Sequence, residues 1–164
     1  MKKLYLVGGT MGVGKTAACQ ALKRKLNGAV FLDGDWCWDA DPFQVTEETK
    51  AMVLDNICYL LSGFLRCSAY RNIIFCWVMH EQGIIDEILS RLDIRTCEVR
   101  TVSLVCTREA LAERLRRDIG AGLRGEDCLE RSAGRLALYW RLKTVKIDVS
   151  GLSVEETAER IAAV

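Results

Sequence analysis

The chain has 164 residues, half of them hydrophobic and 27% charged. That is enough apolar surface to offset the entropy of ordering one domain, too little length for two separate cores, and too apolar for general disorder. Lys plus Arg number 23 against 22 Asp plus Glu, a net charge of +1, which argues against long nucleic acid as a partner. No apolar run reaches the ~18 to 20 residues of a membrane span, and Met1-Lys2-Lys3-Leu4 leads directly into glycines without a leader-like cleavage site, so the expectation is a cytoplasmic protein with no membrane partner. The eight cysteines are scattered singly, without a C-x-x-C pair and with one histidine, a pattern that points away from zinc and from a disulfide scaffold.

Leu4–Val7 is a short apolar run ending in Gly8-Gly9 and reads as a buried strand entering a turn. Lys15–Leu26 follows with Ala18, Leu22 and Leu26 on one helical face, and Asn27-Gly28 ends that helix. Ala29–Leu32 is a second buried strand. Thr46 is placed to cap a long helix whose stripe is Val53, Ile57, Leu60, Leu61 and Phe64. Ile73–Met79 is the most continuously apolar segment and predicts a central strand, followed by a helix bearing Ile84, Ile85, Ile88, Leu89 and Leu92.

Val99–Cys106 is a fourth strand, and Thr107 caps a helix through Leu111, Leu115 and Ile119 that stops at Gly120-Ala121-Gly122. A helix with Leu129, Ala133, Leu136 and Trp140 on one face precedes a fifth strand at Val145, Ile147 and Val149. The last helix opens with the capping box Ser153-x-x-Glu156. Strands alternating with helices predict a parallel sheet of about five strands with right-handed crossovers, and ligands bind beyond the carboxyl ends of such strands.

At the first of those ends lies Gly9-Thr10-Met11-Gly12-Val13-Gly14-Lys15-Thr16, which fits G-x-x-x-x-G-K-S/T between a strand and a helix. Glycines let backbone N–H groups turn toward phosphates, the helix start offers its positive end, Lys15 can reach the β and γ phosphates, and the Thr16 hydroxyl can ligate Mg²⁺. With this loop, Leu32-Asp33-Gly34-Asp35 after strand two, the arginine-rich stretch Arg114–Arg124 and Val149-Ser150-Gly151 after strand five, the chain resembles the P-loop nucleoside and nucleotide kinase superfamily over nearly its whole length. The Leu-Asp-Gly-Asp segment is similar to that of adenylylsulfate and gluconate kinases.

The resemblance implies an α/β, three-layer P-loop kinase fold: a five-stranded parallel sheet in the order 2-3-1-4-5, with helices on both faces. It also implies one domain over 1–164 with a small lid at about 114–128, ATP and Mg²⁺ as cofactors, and a small-molecule acceptor. Two features depart from the pattern. Strand three ends Val78-Met79-His80-Glu81 with no aspartate for metal, and Asp35-Trp36-Cys37-Trp38 lacks the polar or basic continuation of those kinases.

Gly9, Thr10, Met11, Gly12, Val13, Gly14, Lys15 and Thr16, with Arg114, are the candidate nucleotide-binding residues. If Asp33-Gly34-Asp35 is extended, both carboxylates point to one side, Asp33 holding Mg²⁺ through water with Thr16 and Asp35 accepting the acceptor's proton, against the plainer reading of two turn-forming aspartates. Trp36 and Trp38 are candidates to wall an acceptor pocket, and His80 to touch the acceptor or the transferred phosphate. Among the lid arginines the resemblance favours Arg114 and Arg117, the latter as a catalytic cation, with Arg124 at the tip reaching the substrate.

These readings give an ATP-dependent phosphotransferase acting on a hydroxyl or phosphate of a nucleoside, nucleotide, sugar acid or antibiotic. The alternative is a regulatory NTPase without an acceptor. A guanine-specific switch would show Asn/Thr-Lys-x-Asp after a strand, and the chain has none.

Overall fold

The computed structural model describes residues 1–123, 125 and 127–164. Its strands and helices alternate except where two helices follow β4: β1 (Lys2–Gly9), α1 (Lys15–Lys25), β2 (Ala29–Asp33), α2 (Glu47–Arg66), β3 (Asn72–Trp77), α3 (Gln82–Ser90), β4 (Cys97–Val105), α4 (Arg108–Gly120), α5 (Cys128–Tyr139), β5 (Val145–Asp148) and α6 (Val154–Ala162). The sheet order is β2-β3-β1-β4-β5, and every pairing is parallel. This is the fold and strand order expected from the sequence. Among the described residues no helix is long and apolar enough to cross a membrane.

Two-residue alternation along the strands builds the two layers. Leu4, Leu6, Ile73 and Phe75 face Val53, Ile57 and Leu61 of α2 and Ile85 and Ile88 of α3. Tyr5, Val7, Ile74 and Cys76 face the other way, against Ala18 and Leu22 of α1 and Ala158 and Ile161 of α6. Ile57, Leu61 and Leu22 are fully buried, each worth about 2 kcal/mol of transfer free energy. A smaller cluster of Leu111, Leu115 and Cys128 joins α4 to α5.

The caps read from the sequence are formed: Thr46 accepts from Thr49 N–H, Thr107 from Ala110 N–H, and Ser153 and Glu156 make a reciprocal box. Two segments differ from expectation. β3 stops at Trp77 rather than Met79, because the Val78 carbonyl accepts from Gly9 N–H (3.4 Å) and from the Tyr139 hydroxyl (2.7 Å) while Met79 turns the chain out of the sheet at φ 38°. The extended course considered for Asp33-Gly34-Asp35 is not taken: Gly34–Cys37 is one 3₁₀ turn capped by Asp33, whose side chain accepts from Asp35 N–H. The two carboxylates therefore do not share one side of a strand.

Candidate active site

The phosphate loop is shaped by glycines at φ 84° (Gly12) and 98° (Gly14), the latter forming the N-cap of α1. Both values are costly for any residue with a Cβ. At Gly12 a Cβ would also lie 2.4 Å from Leu115 Cδ2, so α4 sits directly on the loop. Arg114, one residue earlier, donates to the Val13 carbonyl (3.0 Å) and to the carbonyl of Val149, the residue after β5. The loop is also held from below, where buried Thr10 donates from Oγ1 to the Ser132 carbonyl of α5 at 2.8 Å. Lys15 folds back over the loop, its Nζ donating to the Thr10 carbonyl at 3.0 Å.

Thr16 Oγ1 donates to Asp33 Oδ2 at 2.6 Å, and Asp33 Oδ1 accepts from Asp35 N–H at 3.1 Å. Asp33 is only 5% exposed, a carboxylate stabilised in place by two donors. Asp35 points elsewhere, its Oδ1 accepting from Trp77 Nε1 at 3.1 Å. The Trp77 indole can approach because residue 34 is glycine: a Cβ there would meet Trp77 Cγ at 2.5 Å.

A single cavity of about 1580 Å³ runs from Met11–Ala18 past Asp35 to Trp38, Phe43, Trp77 and His80, with Arg114, Arg117, Arg131 and Arg135 on a further side. One small ligand typically occupies roughly 300 to 1,000 Å³, so this space has room for two. Gly9 and Thr10 form the loop's buried base, and Asp33 lies behind Thr16. Trp36, also singled out from the sequence, does not line the cavity; it packs edge-on against Phe31 at 5.3 Å and is 57% exposed. Arg124 falls outside the described residues, as does Glu126. Arg117 lines the cavity from an exposed position and donates to Glu113 of its own helix at 3.4 Å.

His80 is placed beside the acceptor end of this space. Its Nε2 is 3.3 Å from Glu81 Oε1, and its Nδ1 is buried without a hydrogen-bond partner among the described residues. Burial, reinforced by the Arg135 guanidinium and opposed by Glu81, holds its pKa below the ordinary histidine value, favouring the neutral ring. Arg135 is half-buried and lines the cavity, with no ion pair or hydrogen bond among the described residues.

Trp77, Phe43 and Arg135 were missed as site residues by sequence reasoning. Trp77 lies inside the apolar run Ile73–Met79 and reads as a strand residue, Phe43 carries no motif, and Arg135 is one charge of many. The available signal for Arg135 was its four-residue spacing from Arg131, which puts both on one helical face.

The donor set suits a magnesium nucleotide. Thr16 and Asp33 offer hard oxygen ligands, the loop residues Met11–Gly14 and the first turn of α1 line the cavity, and a Cβ at Gly14 would project into open space. Among the described residues no cluster of three or more His, Cys, Asp or Glu offers an all-protein metal cage.

Residues 6–126 match the AAA domain, a P-loop family, and the chain belongs to that family. No curated protein matches the sequence. Solved structures share the fold over nearly the full chain. The tunicamycin resistance protein of Deinococcus radiodurans is 21% identical, with 99% of this chain and 95% of that one covered at a TM-score of 0.75. A gluconokinase of Sinorhizobium meliloti is 18% identical, with 98% and 90% covered at 0.73. The APS kinase of Mycobacterium tuberculosis, solved with AMPPNP and APS, is 15% identical, with 99% and 96% covered at 0.69. At these identities the likeness is one of fold.

Proposed function

We propose that the protein is an ATP-dependent small-molecule kinase, moving the γ-phosphate of ATP to a hydroxyl or phosphate of its acceptor. The observation that carries this reading is the continuity of one cavity from the phosphate loop to Asp35 and an aromatic wall, with volume for a nucleotide and a second molecule. A regulatory NTPase needs no such second chamber. The gluconokinase and APS kinase among its structural neighbours act in the same fold.

In this reading the loop N–H groups and Lys15 bind the triphosphate, while Thr16, with Asp33 behind it, holds Mg²⁺. Magnesium supplies charge neutralisation to the phosphates when bound. Asp35, oriented by Trp77, receives the proton of the acceptor hydroxyl as its oxygen bonds to the γ-phosphorus and ADP departs with the electrons of the broken P–O bond. Arg117 and Arg135 add positive charge around the transferring group. Such a base mainly orients its acceptor, and most of the rate comes from positioning and charge stabilisation. The proposed lid spans about 114–128 within one domain, and eight cysteines without a disulfide suit a reducing cytoplasm.

The test is ADP formation from ATP and Mg²⁺ over a panel of nucleosides, nucleotides, sugar acids and antibiotics. Antibiotics belong in it because one structural neighbour is a tunicamycin resistance protein. Acceptor-dependent ADP formation that disappears in Lys15→Ala, with the fold retained, is expected. ADP formation at one rate with and without every acceptor would favour the regulatory NTPase.

A further inference from the structure

One wall at the acceptor end of the cavity is built from flat apolar groups, while Asp39, Lys50, His80 and Glu81 line other parts of the space. Phe43 stands edge-on to Trp38 at 4.8 Å, and Trp38 edge-on to Trp77 at 6.0 Å, so three rings form one continuous surface. Phe43 and the neighbouring Val45 are each 56% exposed although both line the cavity, leaving apolar surface in water that a ligand would cover. The wall reaches the chemistry directly, since Trp77 Nε1 donates to Asp35 Oδ1 at 3.1 Å.

An open-chain polyol laid on this wall would leave the hydroxyls that face the rings without partners, an unfavourable exchange for their hydration. A flat ring makes no such demand through its face and gains from offset or edge contacts with indole and phenyl groups. Its edge substituents stay free to reach Asp35.

We propose that the acceptor is a hydroxyl compound carrying an aromatic or heteroaromatic ring, seated on the Trp38–Trp77–Phe43 wall with its hydroxyl at Asp35, in preference to an open-chain sugar acid. This rests on the kinase reading and specifies the substrate class of that site. Trp38 sets specificity by contact with the ring, while Trp77 both contacts the ring and positions Asp35.

The test compares two sets of acceptors in ADP formation with ATP and Mg²⁺: nucleosides and hydroxylated aromatic antibiotics in one, gluconate and other open-chain sugar acids in the other. The two halves of the first set separate a nucleobase from another aromatic ring. The better acceptor is then titrated against Trp38→Ala and Trp38→Phe. The expected result is turnover with the ring-bearing set, an acceptor KM raised about tenfold in Trp38→Ala with kcat changed less than about threefold, and recovery in Trp38→Phe. An unchanged KM for ATP shows that the variants remain folded. Preference for open-chain sugar acids, or an unchanged acceptor KM in Trp38→Ala, overturns the substrate class while leaving the kinase reading in place. ADP formation with neither set but with a nucleotide or a non-aromatic antibiotic overturns the substrate class alone; the absence of acceptor-dependent ADP formation with every compound of the wider panel removes the kinase reading and the substrate class with it.

Discussion

Thr16 Oγ1 donates to Asp33 Oδ2 at 2.6 Å, joining the first turn of α1 to the end of β2 across the mouth of the phosphate loop. The Thr16 hydroxyl, which would hold a magnesium ion, is thus fixed by a direct hydrogen bond to Asp33, so the site is organised before nucleotide arrives. Thr16→Val keeps the shape and removes the hydroxyl. It should leave Asp33 with one donor fewer in a buried place, destabilise the fold by about 1 to 3 kcal/mol, and weaken Mg²⁺-dependent nucleotide binding far more than binding in EDTA. Calorimetric titration of ATP with and without Mg²⁺ checks this, and equal losses in both would refute it.

Gly12 is fixed by backbone and by neighbour. With φ at 84° and Leu115 Cδ2 at 2.4 Å from a built Cβ, Gly12→Ala must strain the loop or displace α4. A loss of about 2 kcal/mol in unfolding free energy is expected, together with weaker ATP binding. Adding Leu115→Ala should recover part of the loss by opening space, which a double-mutant cycle in urea can measure.

Gly34→Ala acts at a distance from nucleotide. Its Cβ would meet Trp77 Cγ at 2.5 Å, so the indole must rotate away from Asp35. Turnover with acceptor should fall by about tenfold or more while ATP affinity stays near wild type. Equal damage to both would mean that the whole cavity had collapsed.

His80 should contribute to the pH dependence of stability. Burial is the first cause of its lowered pKa and Arg135 the second, so the native state binds fewer protons than the unfolded chain just below the ordinary histidine value of about 6.5. Unfolding free energy therefore rises with pH in that window: the contribution is complete above about 6.5 and is lost as pH falls through the lowered native value. His80→Gln should flatten the change in Tm between about pH 7.5 and about pH 5.5. An unchanged slope would show that carboxylates alone set it.

The succession of strands and helices and the phosphate loop were legible because each rests on local rules: apolar runs of strand length, capping residues, and a glycine-lysine spacing with one structural use; the order of strands in the sheet came from the family resemblance that the loop carries. The 3₁₀ turn at Gly34–Cys37 was not, since Asp33 both ends β2 and accepts from Asp35 N–H, and a sequence does not say which donor a carboxylate will take. That turn also separates the fates of two tryptophans two residues apart, sending Trp36 onto Phe31 and Trp38 into the cavity wall. Trp77 and Arg135 were hidden for another reason. Each looks ordinary in its own element and gains meaning only from a residue far away in the chain, Asp35 for one and His80 for the other.

Leu115 fills the space that Gly12 leaves, and Arg114 holds the carbonyl of Val13. The eight residues of the phosphate loop are therefore not a transplantable cassette: moved alone into another parallel sheet, they would lose the two side chains that brace them from outside the motif. A designer borrowing this loop must carry the middle of α4 with it. Conversely, a chemist seeking to disable the protein without competing against nucleotide has a target in the small cleft that Leu111 and Leu115 of α4 form with Leu129 and Ala133 of α5, where prying Leu115 loose would release the loop from behind.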